Sequence, residues 1–238
     1  MTTPEASTTL SVRGEAQRAT PPDEARVFLT LHRTADSRSV AVAEVQAMLS
    51  AVTSELAGLG GEILTPETAR TPLTWSAQSI RTEAEYDHDK RSGSHGPTGR
   101  QVASVTLLVT VRDFTRLPPV STVLTDLDSM DVQSVQWSVD DDNAEWALVR
   151  ADAIQAALLK GRDYAAALGG RLLTIDHVAD AGLLAGDSAG RIRMTAFGAA
   201  AGGVGMGGEG LSLDPVPQVV SATIEARFTA VVSALPGP

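Results

Sequence analysis

The chain contains no cysteine, which excludes disulfides, thiolate catalysis and zinc or iron–sulfur sites built on cysteine, while leaving the redox compartment open. Positive charge is scarce too. Lys+Arg 19 against Asp+Glu 29 gives a net charge of -10, which repels phosphate backbones and anionic lipid surfaces unless a basic patch is segregated. Arg70, Arg81, Arg91, Arg100, Arg112 and Arg116 are instead spread through the chain with acids between them, the pattern of a solvated mixed surface. Nucleic acid is therefore not an expected partner. No run approaches the roughly 18 apolar residues of a membrane span. The opening MTTPEASTTLSVRGEAQRATPPDEA has no basic region, apolar core or lipidation cysteine. These absences lead to the expectation of a soluble, cytoplasmic protein without a membrane span.

Catalytic signatures are missing as well. There is no G-x-S-x-G elbow and no H-E-x-x-H. Gly205, Gly207 and Gly210 have the spacing of a dinucleotide fingerprint, but LSLDPVPQ follows them and cannot open a helix, so the segment reads as a loop without nucleotide. Asp87, His88, Asp89 and His95 could ligate a metal, yet they sit in DHDKRSGSHGPTG, whose glycines favour a solvated hairpin tip. Glu83, Glu85 and Asp87 alternate along one strand face, as exposed acids commonly do, and carry a catalytic role only if they converge with a histidine. His32 and His177 stand on strands without sequence-adjacent partners. Asp140, Asp141 and Asp142 are explained by a helix dipole. The expectation is no catalytic residue, no metal and no cofactor.

What the chain does contain is periodicity. Asn143 to Gly169 is the longest helical signal. Ala147, Ala151, Ile154, Leu158, Gly161, Ala165 and Leu168 recur at spacings of three and four, a stripe small enough for close backbone approach. Asp142 and Glu145 form a D-x-x-E capping box, and Gly169-Gly170 offers a left-handed stop. Earlier, Val42, Val45, Leu49, Val52, Leu56 and Leu59 mark a helix that Asp36-Ser37 can cap, and Pro118-Pro119 starts a third helix with Val120, Val123, Leu124 and Leu127 buried.

Strands alternate around these helices. Leu10 to Ala16 reads as one, ended by Thr20-Pro21-Pro22-Asp23, with residues 1–9 expected to be disordered. Others cover 25–35, 62–65, an extended arm over 73–86, 101–112, 132–139, 172–177 and 218–232. Strand 25–35, helix 39–58, strand 62–65 rhymes with strand 101–112, helix 117–129, strand 132–139. The fold class expected is α+β: duplicated strand-helix-strand units form a largely antiparallel sheet with helices on one face, plus a long third helix and a C-terminal strand. Residues 10–234 are expected as a single domain, with a hairpin tip at 87–99 and a Gly-rich loop at 198–213.

The order of the pieces carries a resemblance. VRGEAQRATPPDEARVFLTL resembles the opening of the SIMPL domain family, with its Pro-Asp-x-Ala turn at Pro22-Asp23-Glu24-Ala25. VTLLVTVRDFTRL is similar to that family's V-x-V-x-V-R-D-L segment, with Phe114 for the leucine. VQSVQWSVDDDNA and PVPQVVSATIEARFTAVV resemble its later strands. The chain departs at Tyr164, where a lysine is usual, at Pro217-Gln218 in place of Pro-Gly, and in having no secretion signal, although many members are periplasmic. The resemblance, over residues 10–232, implies an α+β fold with no established enzymatic activity. In a periplasmic immunogenic relative it implies a large ring-like homo-oligomer, and in other members a link to stress response; the family name comes from a kinase-associated signalling protein. The function expected is that of a non-enzymatic, self-associating protein, a homo-oligomer whose other protein partner is unknown. The alternative is a small-molecule or peptide binding module with its site near loops 87–99 and 198–213.

Overall fold

The computed structural model describes residues 5–88, 95–126, 129–183 and 213–233. Within the range expected as one domain, the chain packs as two compact units. The first, here the six-strand unit, comprises Pro22–Ser138 and the described part of 198–216. The second, the three-strand unit, takes the described parts of Met1–Pro21, Val139–Phe197 and Pro217–Pro238.

The three-strand unit contains β1 (Glu5–Thr20), and the six-strand unit begins with β2 (Glu24–Ala35), α1 (Arg38–Gly58), β3 (Glu62–Ile63) and β4 (Leu73–Ala77). It continues with β5 (Arg81–His88), β6 (His95–Val111), a 3₁₀ turn (Phe114–Arg116), α2 (Leu117–Thr125) and β7 (Met130–Ser138). Its strands lie in the order β3-β4-β6-β2-β7, with β5 also on β6. Alternation builds the core: Ala25, Val27, Leu29 and Leu31 of β2 and Leu107 and Val109 of β6 are each fully buried, with Leu29 paired to Leu107. Both helices join this same cluster, through Val45 and Leu56 of α1 and Val120 and Leu124 of α2, so they cover one face. The run β7-β2-β6-β4, antiparallel at each step, is the ferredoxin-like split βαβ order.

The ends of α1 follow local chemistry. Ser37 Oγ accepts from the Val40 amide at 3.4 Å. At the other end Gly60 (φ +75°) lets its own amide reach Ala57 O and that of Gly61 reach Leu56 O, closing a Schellman motif.

Several expectations change here. The rhyme holds, but β4 rather than the two-residue β3 closes the first strand-helix-strand unit, because β3 only lies parallel on the outer side of β4. The arm at 73–86 is two strands: β4 pairs with 107–111 of β6 and β5 with 95–104, and Gln78–Ile80 make the step between them. β6 begins at His95, so residues 95–97 are paired strand rather than hairpin tip. Residues 89–94, Leu127 and the whole of 184–212, which holds the glycine fingerprint, lie outside the described residues.

The three-strand unit holds β1, α3 (Glu145–Ala167), β8 (Arg171–Asp180) and β9 (Gln218–Ser233) in the antiparallel order β1-β9-β8. β1 starts at Glu5, earlier than expected, because β9 is long enough to pair it without a shift from Glu5↔Ser233 to Thr20↔Gln218. Phe228, Ala226 and Ile224 of β9 face α3 in a small core with Val12.

The α3 stripe keeps Gly161 and Ala165 as expected but is rotated toward the N-terminus. Val149, Ala153, Ala157, Gly161 and Ala165 are buried, whereas Ala147 and Ala151 are exposed and Ile154 and Leu158 are only half-buried. Close approach selects the smaller stripe: a Cβ on Gly14 of β1 would stand 2.0 Å from Ala153 O, so neither backbone leaves room for a larger neighbour. The N-terminus differs too. Ala144 is the cap residue, and Asn143 Oδ1, rather than Asp142, accepts from the Glu145 amide at 2.9 Å. The expected stop is present, with Gly169 at φ +71° and the Gly170 amide on Ala165 O at 2.8 Å.

Candidate functional site

The most concentrated polar chemistry of the six-strand unit lies where β6 turns into α2. Arg112 leaves β6 on the face opposite the helices, where Glu24 begins β2. Arg112 Nη2 donates to Glu24 Oε2 at 2.5 Å and Arg112 Nε to Ala69 O at 3.2 Å. The Arg26 guanidinium approaches the other oxygen of Glu24 at 2.5 Å, and the Glu24 side chain is 3% exposed. A carboxylate buried so completely is retained as a charge only when cations stand beside it. Asp113 follows. Its Oδ1 accepts from the Thr115 hydroxyl at 2.6 Å and the Thr115 amide at 3.1 Å, which starts the 3₁₀ turn. Those hydrogen bonds, the hydroxyl's first, hold the Asp113 carboxyl below its usual range. Arg116 then donates through Nη1 to Leu59 O, satisfying a carbonyl at the C-terminal end of α1.

This cluster ties β2, β6 and α1 together. Each carboxylate has a cation or hydrogen-bond donor of the same unit beside it, although Glu24 Oε1 accepts no hydrogen bond among the described residues, and the Arg112–Arg116 turn works as a structural latch.

Beside the latch is a groove of about 410 Å³ lined by Phe114, Leu117, Pro118, Ser121, Leu213, Asp214 and Pro215. The first turn of α2 makes one wall, and Pro118 suits it because that turn needs no proline amide. Phe114 is steadied from behind by Trp137, ring against ring edge-on at 5.6 Å. The volume falls within the range of small-ligand sites, though the surface that lines it is more polar than apolar.

Among the described residues, those singled out from sequence do not assemble. Glu85 Oε2 accepts from Thr98 Oγ1 at 2.7 Å and lies 3.9 Å from Arg100, while Glu83 is exposed. Asp87 and His88 pair through their backbones with Gly96 and His95, and Asp89 lies outside the described residues. His32 Nδ1 stands 3.5 Å from Asp131 Oδ2, and His177 is paired in the other sheet with Arg227. The carbonyl of Asp140 receives the Trp146 indole N–H at 2.9 Å. Among the described residues, no three His, Asp or Glu side chains gather in the geometry of a metal site.

A different feature was missed. β8, expected only as another short strand, is an edge strand among the described residues, with Leu173, Ile175 and Val178 45%, 52% and 45% exposed. The signal was available in RLLTIDHVAD, whose apolar residues fall on both parities, more than one buried face can use. Bulges between Leu172 and Thr174 and between Ile175 and His177 set the orientation. Leu172 keeps to the α3 side and touches the core, while Asp176 accepts from the hydroxyls of Thr174 and Thr229, each at 2.7 Å. Those two bonds hold the Asp176 carboxyl below its usual range.

Against known families, the model of SIMPL, "Protein of unknown function (DUF541)", matches residues 10–228. Among curated proteins nothing matches the chain.

Proposed function

The chain belongs to the SIMPL family, and on that premise we propose that it performs no chemistry of its own and acts as a self-associating interaction protein. The observation that carries this reading is the open edge of β8. Three large apolar side chains, each about half exposed, stand on a strand that pairs on one side only among the described residues. An unprotected apolar edge is the kind of surface that another chain covers. The engagement of Asp113 and Glu85 by neighbouring hydroxyls supports the non-enzymatic part. A place in stress response is the family-level extension of this proposal. Sedimentation velocity over a hundredfold range of concentration tests it: a concentration-dependent shift to a defined multimer is expected, and a strict monomer throughout overturns it.

The groove beside Phe114 favours a second reading, a small-molecule or peptide binding module. Its location matches the sequence-based alternative only at one end, through Leu213 of the 198–213 segment. A panel of short apolar peptides, followed by fluorescence anisotropy against the intact chain and a Ser121→Trp variant that fills the groove, decides it. Binding lost in the variant supports the module; binding unaffected by the filled groove removes it.

A further inference from the structure

The groove beside Phe114 lies within the six-strand unit, and both of its walls are anchored. Leu117 and Leu213 are each buried in the same core cluster, so the first turn of α2 and the 213–215 segment are held from beneath by a leucine. Phe114 packs against that cluster, and Pro118 and Pro215 restrict the backbone on either side. A void of about 410 Å³ between such walls is near the lower end of small-molecule sites, a size for a compact ligand.

The polar part of the lining is one-sided. Among the described residues that line the groove, Asp214 is the one ionisable side chain, and none is Lys, Arg or His. The α2 wall is poor in donors as well. Leu117 gives its amide to Phe114 O, and Pro118 and Pro119 have no amide hydrogen, so a helix start that usually offers free N–H groups to an anion offers none at these three positions. Pro215 on the other wall likewise brings a carbonyl without a donor. Arg116, next to Leu117 in the chain, is bound elsewhere: it donates to Leu59 O and meets Asp113 Oδ2 at 3.4 Å. The balance of the lining is therefore toward acceptors and negative charge, with the Ser121 hydroxyl able to serve as either partner.

We propose that this groove binds a small organic cation, a primary ammonium that donates to Asp214 and Ser121 while its apolar body lies against Phe114, Leu117 and Pro118. This deepens the binding-module reading and rests on it. An N–H donor that carries a positive charge makes the stronger class of hydrogen bond to a carboxylate, whereas an anion of the same shape meets repulsion from Asp214 and no compensating amide on the α2 wall. Asp214 is exposed, so neutralising it leaves the core of the unit untouched.

Three probes of one shape separate charge from fit: benzylammonium, neutral benzyl alcohol and benzoate, each titrated into the full chain and followed by the amide NMR shifts of Phe114, Leu117, Ser121, Leu213 and Asp214. Benzylammonium is expected to bind about tenfold more tightly than benzyl alcohol, the gain from a charged over a neutral hydrogen bond, and benzoate more weakly than either. Asp214→Asn is expected to erase the tenfold preference and leave benzyl alcohol unchanged, while Asp214→Glu, which keeps the charge, retains most of it. Ser121→Trp, which fills the groove, is expected to abolish binding of both. If benzylammonium and benzyl alcohol bind alike, or if the preference survives Asp214→Asn, the assignment to cations is overturned while the binding module stands. If no probe moves these amides, the cation assignment is overturned too, and the module reading itself fails if the apolar peptides also bind independently of the groove. Matching circular dichroism for all variants keeps a folding defect from imitating any of these outcomes.

Discussion

The two units lay helix on sheet by opposite means. In the six-strand unit, α1 presents Val45, Val52 and Leu56 to Val27, Leu29 and Leu107, so large side chains hold the layers apart and fill the space between them. In the three-strand unit, α3 presents Ala153, Ala157, Gly161 and Ala165, and the layers come together until β1 and α3 nearly touch at Gly14 and Ala153. The largest buried side chain between them, Phe228, fits over Gly161, where a Cβ would lie 3.1 Å from its ring. The first arrangement depends on volume being present. The second depends on volume being absent, and the two should fail under opposite substitutions.

The largest effect is expected from removing volume where volume is the support. Leu29→Ala in the six-strand unit should cost about 3 kcal/mol, the transfer term plus an unfilled cavity. Denaturant unfolding followed by tryptophan fluorescence reports it, because Trp75 and Trp137 are buried in that unit. A loss below about 1 kcal/mol would mean that the layers close the gap.

Next comes the latch, which has no counterpart in the three-strand unit. Arg112→Ala leaves the 3%-exposed Glu24 with Arg26 alone, and a loss of about 3 kcal/mol is expected for a broken buried pair. Replacing both partners, Glu24→Leu with Arg112→Met, should recover much of it. If the double variant is no better than the single one, desolvation of Glu24 is not the cause.

The reverse experiment belongs to the three-strand unit. Gly14→Val should cost about 2 kcal/mol by overpacking, with faster amide exchange in β1 and α3 specifically. Unchanged exchange there would show that the two backbones can separate at little cost and would remove the contrast between the units. Milder still is Gly169→Ala, expected to lower stability by about 1 kcal/mol because the residue sits at φ +71°.

Acid should have the smallest effect and touch both units alike. Asp113 in one and Asp176 in the other are held below the ordinary aspartate value of 3.8. A depressed folded-state value contributes stability that is complete above the unfolded-state value and is lost as pH falls through the folded one. The thermal midpoints of Asp113→Asn and Asp176→Asn should therefore fall below that of the original chain at neutral pH and converge with it as pH falls through the depressed folded-state value. A gap that persists in acid would assign the effect to lost packing.

Much of this was readable along the chain wherever one face of an element decides its burial. The alternation of β2, β6 and β9 and the Val45-Val52-Leu56 stripe of α1 survive intact in the structure, because apolar side chains at those periods have only one way to leave water. The glycine stops at Gly60 and Gly169 are equally local. The site was less readable. Glu24 and Arg112 stand far apart in the sequence and meet only because β2 lies beside β6, and the exposure of β8 follows from its place at the end of a sheet order that no local pattern encodes.

The α3 helix divides the two kinds of information. Its existence and its glycine stop are written in residues 145–170, through helix-forming side chains and a left-handed position. Which stripe it buries is not. Of the expected row, Gly161 and Ala165 turn inward, yet toward the N-terminus Val149, Ala153 and Ala157 replace Ala147, Ala151, Ile154 and Leu158. Hydropathy alone ranks the rows by what each gains on leaving water. The strand opposite ranks them by what fits, and with Gly14 pressed against the helix backbone only the smaller row lets the two elements close.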